Sequence, residues 1–162
     1  MSQDFYQGYG LAAIDAKSRL LIPAGYRDCA VARSGTRDIL VGIGHGADCL
    51  MAYDRSHAAR LMADFKTRVG ASTDRAVYDE AAFLFGSAQA LALDGGGRIV
   101  LPAVLKDVGE LHTHVWFVGS FDWFEIWNPW AYMARPQTHP GQVRLVKSEL
   151  AARGLPLQEP AA

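Results

Sequence analysis

The chain has 162 residues, half of them hydrophobic and 20% charged, with a net charge of −1. A chain of that length and composition buries a sizeable core in one domain or two small intimate ones, which excludes general disorder. Residues 1–88 hold 10 Lys/Arg against 10 Asp/Glu and residues 89–162 hold 6 against 7, so a broad basic field for nucleic acid is excluded as well.

The segment Met1–Gln7 has neither a basic n-region nor an apolar h-region, and no window approaches about 18 uncharged apolar residues. A leader and a membrane span are not expected, and the protein is expected in the cytoplasm. Gly10–Ile14 and Arg19–Ile22 are apolar runs flanking Asp15 and three turn-compatible residues, which reads as a β-hairpin. Pro23 stops the strand and suits the first position of a helix running to about Val31. Asp38–Ile43 and Leu50–Tyr53 follow as strands.

Two helices come next. Ala58, Leu61, Met62, Phe65 and Val69 form one apolar stripe that Gly70 ends, and Thr73 with Asp74 begins a second helix carrying Val77, Ala81, Leu84 and Phe85. Then the first pattern returns. Ala90–Leu93 and Arg98–Leu101 form a second expected hairpin, Pro102 opens a helix to about Leu111, and Val115–Val118 and Trp123–Trp127 are strands. A last helix is expected at about Gln142–Arg153, ahead of a frayed Pro-rich tail, Gly154–Ala162.

The order of elements therefore repeats, and so do residues. Asp15-Ala-Lys-Ser-Arg19-Leu-Leu-Ile-Pro23 matches Asp94-Gly-Gly-Gly-Arg98-Ile-Val-Leu-Pro102 at an offset of 79. Leu40-Val-Gly42 matches Phe117-Val-Gly119 at 77, and Leu50–Asp54 matches Phe124–Asn128 at 74. Length changes of two and three residues belong in loops, so the chain is two copies of one β-β-α-β-β unit, a pseudo-dimer of α+β class.

In a hairpin with a three-residue loop, Asp15 faces Arg19 and Asp94 faces Arg98. Such a pair is worth only ~0.2–1 kcal/mol, but a carboxylate beside a guanidinium fixes the direction of its planar donor fork. That fork suits a guanine edge or a phosphate. Related by a pseudo-twofold axis, the tips would present Arg19 and Arg98 side by side, with Lys17 adding a flexible charge to the first alone. The competing reading is that these charges only pin two turns.

Other candidates are weaker. Gly95-Gly96-Gly97 leads into a strand rather than a helix N-terminus, which argues against a phosphate loop. His45 with Cys49, and His112 with His114, have spacings a metal could use but lack further ligands, and Cys29 and Cys49 read as buried thiols. No cofactor, metal or small-molecule ligand is expected, and no catalytic motif appears. On the strand Trp123–Trp127, Trp123, Glu125 and Trp127 share one face and Phe124 and Ile126 the other, so both faces are expected to be buried, the second against another subunit.

The paired Asp-x-x-x-Arg tips, the helices ending in Phe85-Gly-Ser-Ala-Gln89 and the closing Phe124-Glu-Ile-Trp127 resemble the MraZ family of bacterial transcriptional regulators, across roughly residues 5 to 133. The resemblance implies two AbrB-like swapped-hairpin units (9–56 and 88–131) around linking helices (57–87), with a C-terminal helix and tail (132–162). It further implies a nucleoid-associated protein binding direct repeats in double-stranded DNA upstream of the division and cell-wall gene cluster, as a ring-shaped homo-oligomer. Lys17, Arg19 and Arg98 would contact DNA, with Asp15 and Asp94 orienting the arginines. Where the family usually has glycine this chain has Ser18, which implies a left-handed turn residue there. The rival is an antitoxin-like or scaffold module that binds protein.

Overall fold

The computed structural model describes residues 4–45 and 48–161; the first residues of the segment read for a leader, and the last of the tail, lie outside the described residues. In chain order the elements are β1 (Tyr9–Ala13), β2 (Arg19–Leu21), α1 (Ala24–Ser34), β3 (Asp38–Ile43) and β4 (Leu50–Tyr53). Then come α2 (Arg55–Val69), α3 (Arg75–Phe85), β5 (Gln89–Ala92), β6 (Arg98–Val100) and α4 (Ala103–Val108). The chain finishes with β7 (His114–Gly119), β8 (Phe124–Trp127), α5 (Pro129–Ala134) and α6 (Pro140–Ala152).

Six strands form one antiparallel sheet in the order β1-β7-β8-β4-β3-β5, and β2 pairs with β6 in a separate two-stranded ribbon. The expected hairpins survive only at their tips. Asp15 N–H donates to Arg19 O and Ile14 bridges Leu20, but β1 then leaves to pair with β7 of the second repeat, and β5 pairs with β3 of the first. The reason is burial: Leu20, Ile22, Ile99 and Leu101 reach the core only if the two inner strands lie against each other. The repeats are interleaved, in the swapped-hairpin manner.

The symmetry is visible in the register. Leu20 lies opposite Ile99, its own counterpart at offset 79, and Met51 opposite Glu125, its counterpart at offset 74. A pseudo-twofold axis passes through both pairs.

One face of the sheet packs against the ribbon, α1 and α4 around Tyr26, Cys29, Leu105, Phe117 and Phe124. Pro23 and Pro102 stand one residue before the first helical residue of α1 and α4, not at it, and their carbonyls accept from Tyr26 and Leu105 N–H. The other face buries Trp116 and Trp127 beneath Trp130, Tyr132, Val146 and Leu150 of α5 and α6. This corrects the expectation that a second subunit covers the tryptophan strand: the chain covers Trp127 with its own C-terminal helices. Trp123 is half-buried beside His57.

The tail expected to fray is anchored. Leu155 packs on the Trp116–Trp127 cluster, Trp130 Nε1 donates to Pro156 O at 3.0 Å and Asn128 Nδ2 to Glu159 Oε1 at 2.9 Å. The linking helices are the reverse case. Phe65 meets Phe85 edge to face and Arg68 pairs with Glu80, but Met62, Tyr78 and Phe83 stay exposed and α3 buries no residue.

Candidate nucleic-acid interface

Each tip is built around one aspartate. Asp15 Oδ1 accepts from Lys17 N–H at 2.9 Å and from Arg19 N–H at 2.8 Å, leaving Oδ2 to take Arg19 Nε at 2.6 Å. Asp94 repeats this: Oδ1 accepts from Gly96 and Arg98 N–H at 2.8 and 3.0 Å, and Oδ2 takes Arg98 Nε at 3.2 Å. Backbone bonds Ser18 N–H to Asp15 O and Gly97 N–H to Asp94 O close the turns at 2.9 and 3.0 Å. An aspartate is needed because its short side chain reaches backbone N–H groups two and four residues on while its second oxygen faces outward.

The closing residue of each turn is left-handed, Ser18 at φ 59° and Gly97 at φ 80°. That is the backbone the family resemblance implied for position 18. Serine accepts it at a cost of roughly 1 kcal/mol.

The N–H donors, Arg19 and Arg98 backbone first, hold the Asp15 and Asp94 carboxyls below the usual carboxylate range. Both aspartates are thus charged and spent on the turn and on one guanidinium nitrogen. The Nη atoms of Arg19 and Arg98, and Lys17 Nζ, have no hydrogen bond among the described residues. Five-donor forks held at Nε and open at Nη are what bidentate recognition needs.

Leu20 and Ile99 are fully buried, so the alternate residues Arg19, Leu21, Arg98 and Val100 face outward together. The arginines share this face but not a cross-strand position: Arg19 pairs with Val100 and Arg98 with Leu21. Expected side by side, they stand on a diagonal because the axis runs through Leu20 and Ile99.

Sequence reasoning missed what supports the tips from below. Ile22 N–H donates to Gly97 O and Leu101 N–H to Ser18 O, so each turn is pinned by the strand end of the other repeat. Lys106 Nζ donates to Ser18 Oγ at 3.3 Å, while its counterpart Arg27 covers Gly97. The matched offsets of Arg27 and Lys106 were the available signal.

No three His, Cys, Asp or Glu side chains gather as metal ligands among the described residues, and no helix is long and apolar enough to cross a membrane. His45 rests on the Phe83 ring and His112 faces Glu159. Cys29 and Cys49 are buried thiols, pushed up to about 11 and about 12 chiefly by burial. Gly95–Gly97 leads into β6, not into a helix.

The family model described as "MraZ protein, putative antitoxin-like" matches residues 84–138. Relatives cover both repeats. "Transcriptional regulator MraZ" of Saccharophagus degradans is 33% identical over 130 residues, 80% of this chain and 86% of that protein. The protein of the same name from Stenotrophomonas maltophilia is 33% identical over 129 residues, and that of Shewanella frigidimarina is 30% identical over 148, which is 91% of this chain and 93% of the relative. With both Asp-x-x-x-Arg tips on one ribbon and similarity running through both repeats, the chain belongs to the MraZ family of transcriptional regulators.

Proposed function

We propose that the protein regulates transcription by sequence-specific binding of double-stranded DNA through the outer face of the β2–β6 ribbon, at direct repeats upstream of the division and cell-wall gene cluster. One observation carries this reading: two guanidiniums, each fixed at Nε by its own aspartate and open at Nη, share the exposed face of a two-stranded ribbon. The major groove admits such a ribbon, and oriented arginine forks suit its base edges. Arg19 and Arg98 read bases, Asp15 and Asp94 orient them, and Lys17 meets phosphate.

A chain of net charge −1 binds DNA weakly as a single copy. Several copies on repeated sites gain through effective concentration, so the active form is a closed homo-oligomeric ring, located with the nucleoid. The exposed Met62, Tyr78 and Phe83 on the linking helices support subunit contact there. The rival, a protein-binding antitoxin-like module, draws support only from the wording of the family description.

A salt titration separates them. Binding to DNA from the chain's own upstream region, measured against scrambled DNA of equal length, should be preferential and fall steeply with ionic strength. Equal binding to both DNAs, or binding insensitive to salt, overturns the reading.

A further inference from the structure

We infer that Leu21 and Val100 are specificity residues that contact thymine methyl groups, a reading that rests on the DNA-binding role proposed above. Both lie on the outward face of the ribbon, 48% and 58% exposed, although the residues before them, Leu20 and Ile99, are fully buried. One exposed aliphatic side chain needs no explanation. Here the exposure recurs at matched positions of both repeats, offset 79, where each repeat could have placed a polar residue.

The partners across the ribbon are what select an occupant. Leu21 lies opposite Arg98 and Val100 opposite Arg19, so each aliphatic group adjoins a guanidinium already aimed outward by its aspartate. A protein partner's apolar patch would meet two charges between its contacts. The floor of the major groove offers the matching alternation, because hydrogen-bond acceptors and the thymine C5 methyl occur on neighbouring base pairs. Leu21 also edges a groove whose charged lining is Arg27, Arg153 and Glu149, a wall that is positive on balance and suits a flanking phosphate strand. In this arrangement each arginine reads one base pair and the aliphatic residue across from it reads the methyl of a neighbour.

Replacing the thymines of the bound upstream DNA by deoxyuridine deletes the methyl and leaves the pairing edge unchanged. Wild-type protein should lose roughly fourfold in affinity per methyl contacted, the transfer value of one buried carbon group. Leu21→Ala and Val100→Ala should show that loss on thymine DNA and no further loss on the uracil DNA. Wild-type protein that binds both DNAs equally, or variants as sensitive to the methyl as wild type, would overturn the inference while leaving DNA binding intact. Failure of wild type to prefer upstream over scrambled DNA would instead remove the DNA-binding reading and this one with it. The wild-type comparison needs no variant, so it stands even if a substitution disturbs folding.

Discussion

Arg27 lies across Gly97 so closely that a β-carbon on that glycine would stand 2.6 Å from the guanidinium carbon and 2.7 Å from Cδ. The matched pair one repeat away, Lys106 and Ser18, instead makes a hydrogen bond of 3.3 Å. The two left-handed turn residues are therefore not interchangeable. Gly97→Ser should lower stability by about 1–3 kcal/mol, combining left-handed strain with displacement of Arg27. Ser18→Gly should be neutral or raise stability by up to ~1 kcal/mol, a few degrees in melting temperature for a chain of this size. Equal effects in the two variants would show that Arg27 does not discriminate between the tips.

The features of the fold differ in how legible they are in the sequence, and the reason is physical. The repeat, the tips and the strands Asp38–Ile43 and Leu50–Tyr53 rest on local chemistry: turn geometry, apolar alternation and prolines. Which strand pairs with which is decided by burial summed over the whole chain, so two hairpins legible at Asp15–Arg19 and Asp94–Arg98 open out into a shared sheet and ribbon. The anchored tail was hidden for a similar reason. Nothing in Gly154–Glu159 signals order until Trp130 and Asn128 supply donors for it. Apolar stripes predict α2 and α3, but those stripes carry no mark of how little of them the chain itself buries.

The tip aspartates give the fold a specific acid response. Their carboxyls sit below the ordinary value of 3.8, first through the Arg19 and Arg98 backbone N–H groups. A carboxyl depressed in the folded state adds stability above its unfolded pKa, and that contribution is lost as pH falls through the folded value. The double variant Asp15→Asn, Asp94→Asn should therefore melt below wild type at about pH 7 and converge with it as pH falls through the depressed folded-state value. A gap that persists undiminished in acid would mean that the carboxylate charge is not what holds the tips.

The three tip cations should separate by kind of contact. Lys17→Ala should weaken binding to specific and scrambled DNA alike and reduce the salt slope by roughly one, as expected for a phosphate contact. Arg19→Ala and Arg98→Ala should each cost ~1–3 kcal/mol of specific affinity and erode discrimination, with the melting curve unchanged because both side chains are solvent-facing. Binding curves against both DNAs at several salt concentrations test this. A sequence-selective Lys17 with an unselective Arg19 would invert the assignment of roles.

Tail removal tests the C-terminal cover. Deleting residues 155–162 takes away the Leu155 contact, the acceptor for Trp130 Nε1 and a partner of Asn128. A buried donor left without its partner costs about 1–3 kcal/mol, so the truncated chain should melt several degrees lower, with a change in tryptophan emission. Unaltered melting and emission would return the tail to the frayed state that its composition suggested.

The last prediction separates core from assembly. Trp127 is 1% exposed and packs among Trp116, Trp130, Tyr132, Val146 and Leu150 of its own chain, so Trp127→Ala should cost ~3–5 kcal/mol of stability, the usual loss for a large aromatic removed from a core. A subunit contact should behave differently. Met62 and Phe83, 47% and 48% exposed on the linking helices, contribute little to the single chain and much to a surface that another copy covers. The double variant Met62→Ser, Phe83→Ser should keep the melting behaviour of the isolated fold while its mass by light scattering falls from several times 17.6 kDa towards that value. Operator affinity should fall with the mass, because avidity is lost while every tip contact is retained. An assembly that survives the double variant would move the interface away from the linking helices, and a wild-type monomer that binds its operator tightly would end the ring and avidity argument together.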